Sequence, residues 1–307
     1  MTIDYRIVVR TYKRPELFYK YTYSLLEKQG IDLAKRLIIV LANEEELQSY
    51  SESLKKMKYL TTIFSGVGAK EAVIAGCKFV GDGVPVVYMD DDMEAFFEFI
   101  TTPSNDKNTL VEESTNLERY ILDGFETCRK ENLNAFSFLY MKNPFYIKDK
   151  PFKETKPFKI SGGFFGILSN NEYDVCPKYG HTEETQRSVK IIERYGSALL
   201  YNWCGFKTQT GFLEGGMQIS NDRGTPDEKS ERTKEISWQV YTEDSLIRKY
   251  CKEPKFMDHT EMWELVLKPV NSLKKFHAWN HVKWKNYFDT IAVGDDIPDP
   301  FFGDLSN

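Results

Sequence analysis

Three consecutive acids, Asp90, Asp91 and Asp92, follow four apolar residues in "VVYMDDDM", Val86 to Met93. Carboxylates repel one another, and crowding them at the end of a buried strand is costly unless something positive sits there. Asp90 and Asp92, two residues apart at a strand end, supply hard oxygen ligands suited to Mg²⁺ or Mn²⁺. Such a metal would bridge a substrate diphosphate and neutralise the charge of a leaving group. The bland alternative is a solvated acidic turn, the ordinary reading of an isolated D-x-D. Here the acids follow the apolar run directly and share an edge with two other polar turns, which favours the metal.

The surrounding pattern predicts that edge. "RIVV" (Arg6–Val9), "RLIIVLA" (Arg36–Ala42), "TTIFSG" and "VPVVYM" read as strands. Between them lie a helix with Leu17, Tyr21 and Leu25 on one face, opened by Pro15 and ended by Gly30, a polar surface helix "EEELQSYSESLKKM", and a helix running to about Val80. Strand–helix alternation implies an α/β unit with a mostly parallel sheet, and ligands bind such sheets outside the carboxyl ends of the strands. The Thr11 turn, the Gly66–Lys70 turn and Asp90–Asp92 all fall there.

In the second half, Leu117, Ile121 and Phe125 mark a helix and "NAFSFLYM" a strand. "KNPFYIKDKPFKETKPFK" reads as a long loop, "ISGGFFGILS" as a strand and "SALLYNW" as another. "HTEETQRSVKIIERYG" has helical grammar, with Thr182 as N-cap, Glu183 and Glu184 in the first turn and Gly196 at the end. From about Gly215 the chain is polar and irregular, which predicts a mobile loop leading to a helical C-terminal extension. The expected division is 1–214, holding the site, and 215–307, packing on it.

The 307-residue chain carries 41 Lys plus Arg, 46 Asp plus Glu and a net charge of −5, enough length for a sizeable core and no bulk charge that dictates a polyanionic partner. No cationic-then-apolar segment opens it and no apolar run approaches a membrane span, so neither a signal peptide nor a membrane contact is expected, and the location is expected to be cytoplasmic. The five cysteines form no C-x-x-C pair and read as reduced thiols. "SGVGAKEA" is neither a dinucleotide fingerprint nor a P-loop, since Lys70 is followed by Glu71. "HTE" at His181 and at His259 lacks the P-C-x-x-C of a zinc deaminase.

Taken in order, "VVRTYKRP", "SGVGAKEAVIAG", "VPVVYMDDDM", "SGGFFGI" and "TEETQRSVKIIERYG" resemble the series found in GT-A glycosyltransferases. The resemblance implies a Rossmann-like sheet flanked by helices, a nucleoside-diphosphate sugar donor, UDP by expectation, and Mn²⁺ or Mg²⁺. It implies that Val9, Thr11 and Arg14 hold the nucleotide base, that Lys70 reaches the nucleotide, that Asp90 lies by the ribose or metal and that Asp92 binds the metal. Gly162, Gly163 and Phe164 would shape the sugar and acceptor pocket, and Glu183 or Glu184 would supply the base. The family often has Glu-Asp where this chain has Glu-Glu, so which glutamate reaches the acceptor is open. A closing histidine is not assignable among His259, His277 and His281. If Glu184 is the base, the acceptor oxygen attacks the anomeric carbon and inverts it; the competing role for both glutamates is to complement the helix dipole, about 0.3–1 kcal/mol each. If neither is the base, a retaining mechanism is expected.

For the acceptor, "KPVNSLKKFHAWNHVKWK" (Lys268–Lys285) holds five lysines and no acid, interleaved with Phe276, Trp279 and Trp284. The stretch Lys142–Lys159 holds six lysines with Phe145, Tyr146, Phe152 and Phe158. Lysines with interleaved aromatics suit phosphate contacts and base stacking, although solvated lysines over core aromatics give the same pattern. The chain also resembles the phage-type enzymes that put sugars on hydroxymethylated DNA bases. That implies double-stranded DNA as partner, 5-hydroxymethylcytosine as acceptor, the cytoplasm of a phage host as location, and Lys274, Lys275, Lys283 and Trp279 as DNA contacts. The alternatives are a transferase acting on a glycan or surface polysaccharide, and a non-catalytic DNA-binding protein.

Overall fold

The computed structural model describes residues 3–99, 111–139, 150–168, 182–208, 226–258, 262–270 and 273–276. The chain begins with β1 (Arg6–Arg10), then α1 (Pro15–Phe18), which runs through a π-helical turn (Tyr19–Tyr23) into α2 (Ser24–Lys28). α3 (Leu33–Arg36), β2 (Leu37–Leu41), α4 (Glu44–Leu54), β3 (Thr61–Phe64), α5 (Ala69–Val80) and β4 (Val86–Met89) complete the first half. β5 (Met93–Phe99), β6 (Val111–Glu113), α6 (Leu117–Lys130), β7 (Ala135–Phe138), β8 (Lys153–Lys156), β9 (Phe164–Ile167), α7 (Glu183–Tyr195), β10 (Ala198–Tyr201) and β11 (Cys204–Thr208) follow. The C-terminal part holds α8 (Pro226–Glu243), α9 (Ser245–Tyr250), β12 (Lys255–Met257), β13 (Met262–Glu264) and β14 (Lys274–Phe276).

Among the described residues one sheet has nine strands, in the order β14-β8-β10-β7-β9-β4-β1-β2-β3. β1 is parallel to β2 and β4, β2 to β3, and β10 to β7, while β8 and β9 run against their neighbours. The sheet is therefore mostly one-directional. Both faces are covered, which explains the unbroken apolar runs. Ile7, Val9, Leu37 and Ile39 join one core, and Val8, Ile38 and Val40 join the other, where Ala72, Val73 and Cys77 of α5 pack. The four side chains of β4 are all buried. At roughly 1.5–3 kcal/mol each, they help offset the cost of delivering acids to the strand's end. At those acids the chain leaves the large sheet, and β5 joins a second sheet, β11-β5-β6.

Four expectations are corrected. The first helix buries Phe18, Thr22, Tyr23, Leu25 and Leu26, and leaves Leu17 and Tyr21 partly exposed, because the π turn adds a residue and rotates the face. The polar helix α4 buries Glu46, Tyr50 and Leu54. The stretch read as one long loop contains β8, whose Lys153, Glu154 and Thr155 are buried between β10 and β14. The C-terminal part is not simply helical: it adds a β12–β13 hairpin and contributes β14 as an edge strand of the main sheet. Val240, Ile247, Cys251 and Leu265 of this part pack with Val189 of α7. The mobile loop expected after Gly215 lies, up to residue 225, outside the described residues. Cys77, Cys128, Cys204 and Cys251 are buried free thiols. Among the described residues no helix is long and apolar enough to cross a membrane.

Candidate active site

Topology brings the site together. β1 and β4 are parallel neighbours, so Arg10, which ends β1, lies beside Asp90, which follows β4. β9 runs antiparallel to β4, so its start returns to the same edge, and the Asp90 N–H donates to the Gly163 carbonyl at 3.0 Å. Arg10 then joins three elements. Its Nε donates to Asp90 Oδ1 at 2.6 Å, Nη1 to Glu183 Oε1 at 3.0 Å and Nη2 to the Gly162 carbonyl at 3.3 Å. Burial works against its charge, but Asp90 and Glu183 outweigh burial and hold the guanidinium firmly protonated.

The middle acid is an anchor. Asp91 Oδ2 accepts from Thr11 Oγ1 at 2.7 Å, and Oδ1 accepts from Arg14 Nη1 at 3.3 Å. Since the Thr11 proton goes to Asp91, the Tyr50 hydroxyl donates to Thr11 Oγ1 (2.7 Å) and accepts from the Arg14 backbone N–H (2.9 Å). Glu46 staples the same turn, accepting from the Lys13 and Ala42 backbone N–H groups at 2.6 Å each. Lys13 sits at φ 56°, a left-handed conformation uncommon outside glycine, and Glu46 helps hold it there. Burial pushes Asp91 up to about 6 despite Thr11 and Arg14.

Asp92 is in the opposite situation. No cationic side chain pairs with it among the described residues. Burial first, then Asp90 and Asp91, push its carboxyl up to about 7. A cation here would relieve that repulsion. Among the described residues no three His, Cys, Asp or Glu side chains converge as a ready-made metal shell. A metal held here needs ligands beyond these described carboxylates, and Mg²⁺-type ions commonly take several from water and substrate phosphates.

The acidic pair of α7 is compensated. Glu184 Oε1 accepts from the Gly162 N–H at 2.7 Å, and Oε2 lies 3.3 Å from Lys159 Nζ, which also reaches Glu264 of β13 at 3.6 Å. Burial alone would raise the Glu184 carboxyl, but Lys159 and Arg187 lower it below its usual value. Glu183 is buried; one oxygen meets Arg10, and the other has no hydrogen-bond partner among the described residues. Arg187 is fully buried, with its guanidinium 4.0 Å from the Phe165 ring centre. A Cβ at Gly162 would stand 2.6 Å from Glu184 Oε1 and 3.3 Å from Arg10 Nη2, so a larger residue there would push the Glu184 carboxylate off this turn. The Thr182 hydroxyl does not cap α7; it accepts from Gln186 Nε2 at 2.6 Å.

Asp90, Gly162 and Glu183 thus meet on Arg10, with Gly163 joined through Asp90 and Glu184 through Gly162, and nothing in the sequence pattern singles Arg10 out. Val9 is enclosed in the core, and Thr11 is fully buried with its hydroxyl committed, so these side chains frame the turn and offer no exposed atom to a base. Arg14 is held on Asp91. Lys70 stands in the first turn of α5 and pairs with Glu71 at 3.2 Å. Lys274 pairs with Glu131 at 2.9 Å, and Lys275 is exposed. β14 is five strands from β4, about 24 Å at ~4.8 Å per strand. Lys283, Trp279, His181, His259, His277 and His281 lie outside the described residues. In the Lys142–Lys159 stretch, residues up to 149 also lie outside. Of the rest, Phe152 is core, Phe158 packs on the core, Lys153 pairs with Asp123, and Lys156 pairs with Glu154. Lys153, Lys156 and Lys159 of this stretch therefore do not form a free basic surface.

No protein-family model matches the chain, and no curated protein matches it. Solved structures give distant likenesses. Glucosyl-3-phosphoglycerate synthase from Mycobacterium tuberculosis, in complex with Mn²⁺ and UDP-glucose, is 10% identical with a TM-score of 0.47, over 92% of this chain and 91% of that one. The mannosyltransferase PcManGT from Pyrobaculum calidifontis, in complex with GDP-Man and Mn²⁺, is 12% identical with a TM-score of 0.42, over 80% and 67%. Residues 1–349 of TarS from S. aureus are 13% identical with a TM-score of 0.41, over 79% of this chain; the chain spans 66% of that structure, just under two thirds. At this distance the functional reading rests on the chain's own site geometry.

Proposed function

We propose that this chain is a metal-dependent glycosyltransferase that moves a sugar from a nucleoside-diphosphate sugar, with UDP first in line, to a hydroxyl acceptor. The observation that carries the proposal is Asp92: a half-buried carboxylate at a strand's carboxyl end, unpaired with any cation among the described residues, beside an acid anchored by Thr11 and Arg14. The donor set fits a hard divalent cation such as Mn²⁺ or Mg²⁺. Asp92 and the Asp90 oxygen that Arg10 leaves free are the residues to hold it. When bound, such an ion neutralises charge on the departing diphosphate. Arg10 fixes Asp90, and Gly162 and Gly163, without side chains, would let a donor sugar approach the backbone beside Asp90. The place of Lys70 in the first turn of α5 supports a role on the donor phosphates.

Glu184 is poorly suited to act as a base in this arrangement. Both its oxygens are occupied and its carboxyl is held below the usual value, whereas an effective base titrates near the working pH. Glu183 is tied to Arg10. This supports the retaining branch, with Glu184 shaping the Gly162 turn.

A glycan or other small hydroxyl acceptor is the first reading, because Lys274 pairs with Glu131 and β14 stands five strands from the acidic turn. Duplex DNA with hydroxymethylated pyrimidines is the second reading, supported by the acid-free Lys268–Lys285 stretch and the exposed Lys275. The test incubates the chain with UDP- and GDP-sugars and Mn²⁺, measures nucleoside-diphosphate release, and follows transfer to a glycan panel, to hydroxymethylated duplex and to unmodified duplex by mass spectrometry. Metal-dependent release is expected. A chain that neither binds nor cleaves any donor, with or without metal, overturns the proposal. Transfer confined to hydroxymethylated duplex promotes the DNA reading over the glycan.

A further inference from the structure

We infer that Thr22, on the π-helical turn, is a positioning residue for the acidic turn. The inference rests on the metal and donor reading above and names the residue that gives the site its shape. Thr22 is 0% exposed. Its Oγ1 donates to the Asp90 carbonyl at 2.8 Å and accepts from the Met93 N–H at 2.9 Å. Asp90 and Met93 are the first and last residues of the turn that carries Asp91 and Asp92. Their carbonyl and amide are the groups that bond each other directly in a closed β-turn. A hydroxyl that bridges the two sets their spacing, and with it the directions in which the intervening side chains leave the backbone. Asp91 leaves toward Thr11 and Arg14, and Asp92 is left without a cationic partner among the described residues.

The helix is built to deliver that hydroxyl. Thr22 and Tyr23, two successive residues of the π turn, are both buried. Ser24 secures the turn: both its backbone N–H and its hydroxyl donate to the Tyr19 carbonyl, the hydroxyl at 2.8 Å. The Tyr19 and Tyr23 rings stack across the turn with centroids 5.5 Å apart. π turns carry a cost in hydrogen-bond geometry and concentrate at functional sites. Here the gain is a hydroxyl placed between two backbone groups that lie seventy residues downstream in sequence. Only Ser or Thr supplies a donor and an acceptor from one atom at this reach.

The test compares Thr22→Val, which keeps the shape and removes the hydroxyl, with Thr22→Ser, which keeps the hydroxyl. Mn²⁺ affinity in the presence of UDP is read by electron paramagnetic resonance, and exchange of the Met93 amide by hydrogen exchange. Thr22→Val is expected to weaken Mn²⁺ about 10- to 100-fold, the range for residues that orient metal ligands, and to speed Met93 exchange. Thr22→Ser is expected to bind within about threefold of the parent on the same scale. In turnover, Thr22→Val should lose kcat at saturating donor, with recovery as Mn²⁺ is raised. Should Thr22→Val fail to fold, Thr22→Ala with the same readouts replaces it. Parent-like Mn²⁺ affinity and Met93 exchange in a folded Thr22→Val or Thr22→Ala overturns the inference alone. A parent chain that binds no Mn²⁺ with any nucleotide overturns the functional reading and this inference together.

Discussion

At the end of β4 and at the start of α7, adjacent acids reach the same guanidinium, Arg10, from opposite sides. The α7 pair is compensated by Arg10 on Glu183, by Lys159 and the Gly162 N–H on Glu184, and by the N-terminal end of the helix itself. In the β4 turn, Asp90 takes Arg10 and Asp91 takes Arg14 and Thr11, and Asp92 is left over. Burial raises both Glu184 and Asp92, yet they end in opposite states: at Glu184, Lys159, Arg187 and the Gly162 N–H outweigh burial and lower the carboxyl, whereas at Asp92 the charges of Asp90 and Asp91 add to burial and raise it. The lesson is that an acidic motif is informative about a ligand only after its protein partners have been subtracted.

The comparison breaks most visibly at Arg10, which serves both clusters. Arg10→Leu leaves Asp90 and Glu183 facing each other without their cation. It is expected to cost about 3–5 kcal/mol, the penalty for stripping one partner from a buried pair. Thermal unfolding should fall by about 10 °C. A variant within 2 °C of the parent would show that Arg10 does not hold the clusters together.

Next in size is Asp92→Asn. Activity with Mn²⁺ should fall about 10²-fold or more, as for loss of one group that meets transition-state charge. The fold should persist, because among the described residues Asp92 has no cation to abandon. Glu184→Gln sharpens the contrast. A general base contributes 10²–10⁴-fold, whereas a turn-shaping carboxylate replaced by its amide should lose less than about tenfold in kcat. A loss above 10²-fold, with a normal melting curve, would return Glu184 to the role of base.

How much of this was legible beforehand follows from the same contrast. The strands β1 to β4, the helix start at Glu183 and the acids themselves stand in the sequence as apolar runs and cap grammar. Partnerships do not. Arg10 flanks a strand as many arginines do, and only the parallel pairing of β1 with β4 puts it on Asp90. α4 looks like a solvated helix, yet Glu46 and Tyr50 brace the site from it. β8 was hidden because "KETK" has no apolar alternation; its burial comes from the strands on either side. Lys153 and Lys159 read as part of a polyanion surface, but tertiary packing brings Asp123 to the first and Glu184 and Glu264 to the second.

The smallest expected effect is in pH dependence, and the two clusters give opposite signs. Asp91 and Asp92 have carboxyls raised to about 6 and about 7, so the stability they lend is full below an unfolded value near 4 and is lost as pH rises through 6 and 7. The Glu184 carboxyl is lowered, so its contribution is present above its unfolded value and is lost as pH falls below about 4.5. The metal-free melting temperature should therefore drop by roughly 2–4 °C between pH 5 and pH 8, and Mn²⁺ at pH 8 should restore it. Asp92→Asn should flatten the fall. A drop as steep as the parent's in that variant would locate the titration elsewhere.

The central claim is that Asp92 is left uncompensated for a divalent cation. Calorimetric titration of Mn²⁺ into the chain with saturating UDP at pH 7.5 tests it most directly, with Asp92→Asn and Glu184→Gln alongside. The account predicts one Mn²⁺ site in the parent, a near-parent site in Glu184→Gln, and at least ~10²-fold weaker binding in Asp92→Asn. Equal Mn²⁺ affinity in the parent and in Asp92→Asn would contradict it.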